Sequence, residues 1–228
     1  MGPLSPGVRT VGLMRSPGTA PTWRDDPVGF RNVRLRRFGP VVPAGPFAVL
    51  DLETTGLDPS VDRVIEVAVV RCDPRGRVES EWSSLVHPER DPGPTAVHGI
   101  TPTDLTAAPR FAELVETLDE QLDGAVVTAH NLAFDAAFLD AERTRARSVR
   151  PRAPGLCTLA LDRALHPGRP EGYSLAACSA AAGIAQPQAH RALADARVTA
   201  ELLGALLTGL PPDRWRPWPG RRLRYAGR

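Results

Sequence analysis

The sequence lacks several features, and each absence excludes a class of protein. Its 228 residues include three cysteines, Cys72, Cys157 and Cys178, without a CxxC pair, which argues against a disulfide framework or a zinc knuckle. We expect them to be buried apolar side chains in a reducing compartment. No apolar run approaches the roughly 18 residues of a membrane helix, and Met1–Thr22 has no compact apolar core of a secretory signal. These absences predict a cytoplasmic protein without a membrane segment.

Lysine is absent as well, and the 28 basic residues other than histidine are all arginines. With abundant alanine, proline and glycine, this indicates the bias of a GC-rich genome and carries no functional signal. The net charge of +2 conceals a division: residues 1–45 hold seven Arg and two Asp, residues 209–228 hold six Arg and one Asp, and the middle holds fifteen Arg against twenty-three acids. An acidic body binds a polyanion only where cations offset its charge. The distribution therefore points to metal ions.

The basic ends are expected to lie outside the folded domain. Residues 1–45 contain seven Pro and seven Gly, which predicts a flexible arm. Its Arg31–Arg37 stretch is either a phosphate contact or a solvated linker. Residues 209–228 mix aromatic residues with arginines, so this tail either stacks on bases or docks onto its own domain. Residues 46–208 between them are expected to form one domain.

The pattern of this domain predicts an α/β fold. Phe47–Leu52, Arg63–Arg71 and Val78–Val86 have the composition of strands joined by short turns, and they predict an antiparallel three-strand meander. Helices and short strands then alternate, which predicts a mixed sheet flanked by helices. These later elements are a helix at 112–122, a strand at 125–129, a helix at 133–145, a strand at 156–159 that runs into a helix ending at Leu165, a helix at 174–182 capped by Ser174, and a helix at 192–207.

Two carboxylates near the end of the first strand are the strongest local signal for chemistry. Asp51 and Glu53 are two residues apart, so their side chains point to one face of the strand. Adjacent carboxylates in an apolar strand repel each other and are costly to desolvate. A hard divalent cation between them would remove that cost. By contrast, Glu79 and Glu81 have the same spacing but indicate an exposed strand face.

Two further segments hold acids near helix starts. Asp135 lies in the first turn of a predicted helix, where an isolated acid is often only a partner of the helix dipole. His190 and Asp195 are five residues apart, and five residues turn about 500° on an ideal helix. His190 is therefore expected just before the helix that carries Asp195. A lone histidine is usually structural, but one beside an aspartate can act as a mobile general base.

In order and spacing, these motifs resemble those of the DEDDh exonucleases, the DnaQ-like family that includes the proofreading subunit of bacterial DNA polymerase III. Asp51 and Glu53 match the first family motif, Asp135 the second, and His190 with Asp195 the third. The tyrosine variant of the family would place Tyr where this sequence has Arg191. The resemblance covers roughly 47–207, and the stretch 97–101 is similar to the family's loop over the primer terminus.

The resemblance implies an RNase H-like fold and a metal-dependent 3′→5′ exonuclease that releases nucleoside 5′-monophosphates. The four carboxylates would bind two Mg²⁺ or Mn²⁺ ions, and His190 would accept a proton from the attacking water. The resemblance also implies a set of substrate contacts: Thr54, Thr55, Leu57, His98, Ile100 and Asn131. For Leu57 and Ile100, ordinary packing is an equal alternative. Glu66, an acid within an apolar strand, has no account from sequence beyond a hydrogen bond.

The resemblance leaves several alternatives open. The leading substrate is single-stranded DNA, and the first alternative is RNA ends or short oligonucleotides, since the metal chemistry ignores the 2′ position. A second alternative is a non-catalytic nucleic-acid-binding or polymerase-accessory protein, which the presence of all five catalytic residues disfavours. Association with a DNA polymerase would need a tethering segment, and none is identifiable. A stand-alone or accessory exonuclease is therefore favoured.

Overall fold

The structure is a computed structural model that describes residues 30–32, 35–36, 39–40, 42–149, 151–186, 190–210, 215–216 and 224–225. Its strands are β1 (Phe30–Asn32), β2 (Leu35–Arg36), β3 (Gly39–Pro40), β4 (Val42–Pro43), β5 (Phe47–Thr54), β6 (Val64–Cys72), β7 (Val78–Leu85), β8 (Val126–Ala129), β9 (Pro151–Cys157), β10 (Trp215–Arg216) and β11 (Arg224–Tyr225). Its helices are α1 (Thr95–His98), α2 (Pro102–Leu105), α3 (Phe111–Leu122), α4 (Leu132–Arg145), α5 (Thr158–Leu165), α6 (Leu175–Ala181) and α7 (Ala192–Thr208).

The main sheet is mixed and has the strand order β1-β9-β8-β5-β6-β7. Strands β5, β6 and β7 form the antiparallel meander that the sequence predicts. Strand β8 runs parallel to both β5 and β9. Because β5 and β8 are parallel neighbours, their carboxyl ends share one edge of the sheet. That edge is where the acidic motifs meet.

The sheet buries both of its faces, and β5 shows this in its alternation. Ala48, Leu50 and Leu52 lie in one apolar cluster with side chains of α3 and α4. Phe47 and Val49 lie in a second cluster with side chains of α7. Full burial of a large apolar side chain stabilises a fold by roughly 1.5–3 kcal/mol. Asp51 and Glu53 continue the odd-numbered face, so β5 aims both carboxylates towards the side of the sheet that α7 covers.

Helix α7 packs closely on the turn between β6 and β7. A Cβ added to Gly204 would lie 2.3 Å from the carbonyl oxygen of Arg75. A glycine is therefore needed at this point of the helix, although glycine lowers helix propensity by about 1 kcal/mol. This close approach fixes α7 along the sheet, and with it the helix start that carries Asp195.

Most predicted elements occur, with shifted ends. Strand β9 begins at Pro151, five residues before the expected start, and ends at Cys157 rather than at Leu159, since α5 begins at Thr158. Helix α5 ends at Leu165 as predicted. The Ser174 cap is confirmed, since its hydroxyl accepts a hydrogen bond from the backbone N–H of Ala177 at 3.2 Å. Cys72 and Cys178 are buried as expected, whereas Cys157 is only partly buried.

Two short helices, α1 and α2, were not predicted, and α1 overlaps the stretch 97–101 that was expected to be a loop. The signal for α2 was present: the side chains of Thr101 and Asp104 each accept a hydrogen bond from the other's backbone N–H, and Pro102 occupies the first helical position. This reciprocal arrangement satisfies two N–H groups that a helix start leaves without partners.

The predicted arm and tail are described only in part. Strands β1 and β11, one from each segment, both pair with β9. Of the Arg31–Arg37 stretch, Arg31 lies in β1 and Arg36 in β2, whereas Arg34 and Arg37 fall outside the described residues, as do most of residues 209–228. The division into arm, domain and tail stays a prediction. In the part of the chain that the structure describes, none of the helices combines the length and apolar character needed to cross a membrane.

Candidate active site at the carboxyl edge of the sheet

Strand β5 places two of the five predicted catalytic residues. Asp51 and Glu53 are both partly buried and lie near the end of β5, after four fully buried residues. Glu53 is paired in register with Glu66 of β6, and the pairing shifts by one residue immediately after Glu53. Such irregularities redirect the chain and are frequent beside active sites. The pairing of β5 with β6 therefore becomes irregular next to the two carboxylates.

The β8–α4 connection places the third acid. The chain leaves β8 at Ala129, turns through Asn131, which has a left-handed φ of 72°, and enters α4 at Leu132. Asp135 then lies in the first helical turn and is 4% exposed. Since β8 and β5 are parallel neighbours, this helix start lies at the same sheet edge as Asp51 and Glu53.

The start of α7 supplies the remaining two residues. His190 precedes the helix, as predicted, with a left-handed φ of 65°. Its backbone N–H donates to Asp195 Oδ2 at 3.0 Å, and the side-chain amide of Gln186 donates to Asp195 Oδ1 at 2.8 Å. A ring nitrogen of His190 and one carboxylate oxygen each of Glu53 and Asp195 lie within 4.8 Å of one another. The first and third motifs, more than 130 residues apart in the chain, therefore meet.

Burial and neighbouring carboxylates raise the pKa values of three of these acids, Asp51, Glu53 and Asp135. Burial raises the pKa of Asp51 well above its usual range, and the charges of Asp135, Asp195, Glu53 and Glu66 raise it further. Burial and the charges of Asp195 and Glu66 raise the pKa of Glu53 to about 7, against an opposing effect of Arg191.

Asp135 shows the same behaviour. Burial raises its pKa well above the ordinary value and the charge of Glu53 adds to this, although backbone hydrogen bonds at Asp135 itself and at Leu52 oppose the rise. A site that disfavours its own ionised carboxylates is one in which a bound cation lowers the free energy most.

The donor set fits a divalent metal ion. Asp51, Glu53, Asp135 and Asp195 offer carboxylate oxygens, the ligands that Mg²⁺ and similar hard cations take. The raised pKa values of Asp51, Glu53 and Asp135 indicate that the fold brings these acids together at an electrostatic cost. These residues could therefore hold metal ions, and His190 lies beside them at the exposed side of the group.

The predicted substrate contacts after β5 differ in exposure. Leu57 is 83% exposed at the tip of the loop, so its side chain is available to a ligand. The Thr54 hydroxyl donates to the carbonyl oxygen of Gly56 at 2.6 Å. Thr55 is buried; its hydroxyl donates to Asp62 Oδ1 at 3.0 Å and its backbone N–H donates to the carbonyl oxygen of Arg63 at 2.9 Å. Both the hydroxyl and the backbone N–H of Thr55, a predicted substrate contact, are therefore already engaged within the fold.

Two other predicted contacts lie inside the protein. Ile100 is 2% exposed and packs with Ile65 and Leu105. His98 is also 2% exposed, and its Nδ1 accepts a hydrogen bond from the backbone N–H of Ile100 at 3.0 Å. This burial favours the packing interpretation of Ile100 and gives His98 a role in shaping its loop. Asn131, in contrast, is exposed beside the start of α4.

Sequence reasoning missed three residues that hold the site together: Glu66, Gln186 and Arg191. Glu66 is 4% exposed, and its carboxylate accepts hydrogen bonds from the guanidinium of Arg191 and from the backbone N–H of Ala192. The available signal was an acid within an apolar strand. Nothing in the sequence indicated a partner 125 residues away.

Comparisons with known proteins agree with this arrangement. A family model described as an exonuclease (RNase T) matches residues 48–203, more than half of the chain. DNA polymerase III subunit epsilon of Treponema pallidum (strain Nichols) is 34% identical over 164 residues, 71% of this chain and 76% of that protein. DNA polymerase III PolC-type of Thermotoga petrophila is 35% identical over 158 residues, which are 68% of this chain but only 11% of that protein.

Similarity to solved structures leads to the same family. Exonuclease X in complex with 5′ overhanging duplex DNA superposes with a TM-score of 0.54 at 28% identity, covering 74% of this chain and 96% of that one. The fold, the family match and the relatives confirm the resemblance seen in the motifs. The chain belongs to the exonuclease family, with an RNase H-like fold and metal-dependent 3′→5′ exonuclease activity on nucleic acid.

Proposed function

We propose that this exonuclease shortens single-stranded DNA from its 3′ end by two-metal-ion catalysis and releases nucleoside 5′-monophosphates. The observation that carries the proposal is the meeting of carboxylates from three separate segments with one histidine. Glu53, His190 and Asp195 approach within 4.8 Å, and Asp51 and Asp135 lie close enough for neighbouring carboxylates to raise their pKa values.

Four carboxylates would bind the cations: Asp51, Glu53, Asp135 and Asp195. Bound divalent ions, Mg²⁺ or Mn²⁺ in this proposal, would supply Lewis-acid activation of water and stabilisation of charge on the phosphate and leaving oxygen. Asp195 is already oriented for this role, because the Gln186 side-chain amide and the His190 backbone N–H each donate a hydrogen bond to one of its carboxylate oxygens. The chain's own contribution is to fix these oxygens before substrate arrives.

His190 is proposed as the general base. Its backbone is fixed by the hydrogen bond to Asp195, whereas its side chain is exposed at the rim of the site. It would accept a proton from water as the water oxygen bonds to phosphorus. The bond between phosphorus and the 3′ oxygen of the penultimate nucleotide breaks, leaving a new 3′-hydroxyl on the strand and a free nucleoside 5′-monophosphate.

The exposed loop beside the site supports binding of a strand end. Leu57 projects from the loop after β5 with 83% of its surface exposed, and an apolar side chain there can pack on the terminal base. Thr54 and Asn131 are the other exposed or partly exposed candidates near the motifs. Thr55, His98 and Ile100 would act by shaping this loop from within.

The names of relatives favour DNA over RNA. The Treponema protein is named as a DNA polymerase III subunit, and the solved exonuclease X structure contains duplex DNA with a 5′ overhang. Association with a DNA polymerase belongs to the proposal on the same ground. The basic segments 1–45 and 209–228 would supply phosphate contacts around an acidic domain at 46–208, and we propose a cytoplasmic location.

Digestion of matched 5′-labelled DNA and RNA oligonucleotides tests the proposal. The assay compares single-stranded with duplex substrates in Mg²⁺, in Mn²⁺ and in EDTA, and uses Asp51→Ala as the inactive control. We expect a ladder that shortens from the 3′ end of single-stranded DNA and disappears in EDTA and in the variant. Faster digestion of RNA would overturn the substrate, and binding without digestion would favour an accessory, non-catalytic role.

A further inference from the structure

We propose that Glu66 and Arg191 are positioning residues that lock the start of α7 onto the sheet and so hold His190 and Asp195 at the metal site. This inference rests on the proposed roles of those two residues. Neither Glu66 nor Arg191 belongs to the five motif positions. Together they form the ion pair that we call the α7 latch.

The latch begins in the strand beside the catalytic carboxylates. Glu66 of β6 is the register partner of Glu53 in β5. Its carboxylate is 4% exposed and accepts hydrogen bonds from Arg191 Nε at 3.2 Å and Arg191 Nη2 at 3.1 Å. A bidentate pair of this kind fixes direction as well as distance. The start of α7 is therefore tied to the residue directly opposite Glu53.

The same carboxylate also caps the helix. Arg191 is the N-cap residue of α7, and its side chain makes no capping hydrogen bond. The backbone N–H of Ala192, at the first helical position, donates instead to Glu66 Oε2 at 3.0 Å. A carboxylate at this point satisfies an N–H that the helix leaves without a partner and interacts favourably with the helix dipole.

Both catalytic residues of the third motif adjoin this anchor. His190 is the residue before Arg191 and adopts a left-handed backbone that an L-residue adopts only at a cost. Its N–H reaches forward to Asp195 Oδ2, and the N–H of Asp195 reaches back to the carbonyl oxygen of Arg191. Residues 190–195 thus form one hydrogen-bonded unit, and the latch is its attachment to β6.

The chain contains a matched pair away from the site. Glu142 of α4 is 1% exposed and accepts hydrogen bonds from Arg63 Nε at 2.7 Å, from Arg63 Nη2 at 3.1 Å and from the backbone N–H of Val64 at 3.2 Å. Like Glu66, it accepts two hydrogen bonds from one arginine and one from a backbone N–H, and it also pairs with Arg145 of its own helix at 3.4 Å. It joins a helix interior to the beginning of β6. Substitution of either glutamate should lower the stability of the protein. Only substitution of Glu66 should also weaken metal binding, if Glu66 positions His190 and Asp195.

Calorimetry measures Mn²⁺ binding in four proteins: wild type, Glu66→Gln, Glu142→Gln and Asp51→Ala. The unfolding temperature and the amide exchange of residues 190–195 are measured in the same proteins without metal. Glu66→Gln should weaken Mn²⁺ binding and lower kcat by about 10- to 100-fold, the usual effect of removing a group that orients metal ligands. KM should change by less than about threefold, because the substrate-binding side chains remain. Amide exchange of residues 190–195 should accelerate.

Glu142→Gln is the control that distinguishes a loss of positioning at the metal site from a general loss of stability. Glu142→Gln should lower the unfolding temperature at least as much as Glu66→Gln. It should leave Mn²⁺ affinity within about twofold of wild type, because the hydrogen bonds of Glu142 go to Arg63, Val64 and Arg145 and none of these is a proposed metal ligand. Should Glu66→Gln prove too unstable, Arg191→Lys and Arg63→Lys repeat the comparison, since lysine keeps the charge but lacks the planar fork.

The outcomes distinguish the inference from the proposed function. Wild-type Mn²⁺ affinity in Glu66→Gln, or an equal loss in Glu142→Gln, would overturn the positioning role while Asp51→Ala still fails to bind the metal. Normal Mn²⁺ binding by Asp51→Ala would overturn the metal site itself, and the inference with it.

Discussion

Buried acids are treated differently in two regions of this molecule. Around α3 and α4, Asp119 pairs with Arg143, and Glu142 pairs with Arg63. At the carboxyl edge of the sheet, burial and neighbouring carboxylates raise the pKa values of Asp51, Glu53 and Asp135, and Arg191 opposes the rise at Glu53. Removing one partner of a buried pair leaves the other charge uncompensated, whereas crowded carboxylates cost free energy until a cation binds. The difference separates the acids that are paired within the fold from those that we propose serve the reaction.

Among the substitutions at the sheet edge, Asp51→Ala should reduce activity the most. Removal of this carboxylate should reduce hydrolysis by at least about a thousandfold, the scale expected for a central catalytic group, and should abolish tight Mn²⁺ binding. Single-turnover digestion of a labelled oligonucleotide measures the first effect. Near-normal turnover would show that Asp51 is not a metal ligand.

His190→Ala should have the next largest effect on activity. Removal of a general base lowers kcat by about 10²–10⁴-fold, with substrate affinity little changed because the backbone hydrogen bond to Asp195 is retained. Steady-state kinetics at several DNA concentrations separate kcat from KM. Equal losses in both would argue for a substrate-binding role instead.

Substituting one glutamate in each region should change the free energy of unfolding in opposite directions. Without metal at pH 8, Glu53→Gln should stabilise the protein by about 1–2 kcal/mol, since it removes a disfavoured charge that solvent partly screens. Glu142→Gln should destabilise it by about 2–4 kcal/mol, because Arg63 is left without its buried partner. Urea unfolding in EDTA measures both, and the same sign for the two variants would contradict the contrast.

The pH dependence of the metal-free protein follows from the same carboxylates. The pKa of Glu53 is raised from its usual 4.5 to about 7 in the folded state, so the folded protein binds more protons than the unfolded chain between these values. Stability should therefore be highest below about pH 4.5, as far as this group is concerned, and should fall as pH rises towards 7. Unfolding curves in EDTA check this slope, which Glu53→Gln should reduce.

The smallest effect is expected from the basic arm. Replacing Arg34, Arg36 and Arg37 by glutamine should lower the salt dependence of single-stranded DNA binding by about 0.7 in slope for each phosphate that these arginines neutralise in the wild type. Fluorescence anisotropy at several salt concentrations measures it. An unchanged slope would make the arm a linker that does not bind phosphates.

Local pattern was sufficient for much of the fold and for the choice of candidate site residues. The meander, α3, α4 and α7 follow from periodicity and turn residues, and the five motif residues follow from spacing and family resemblance. Long-range pairing was not accessible, because nothing in the local sequence links Glu66 to Arg191. The burial of Ile100 also depends on how its loop folds onto Ile65 and Leu105, which residue type alone does not determine.

The central claim is that the carboxylates at the sheet edge are crowded so that they bind divalent cations. Calorimetric titration of Mn²⁺ near pH 7, repeated in buffers of different ionisation enthalpy, tests it most directly. The account predicts saturable binding that releases protons into the buffer. Glu53 has a pKa of about 7, so the fraction of this group that is protonated near pH 7 must release its proton when the metal binds. It also predicts that Asp51→Ala abolishes this binding. Binding without proton release, or unchanged binding in Asp51→Ala, would contradict it.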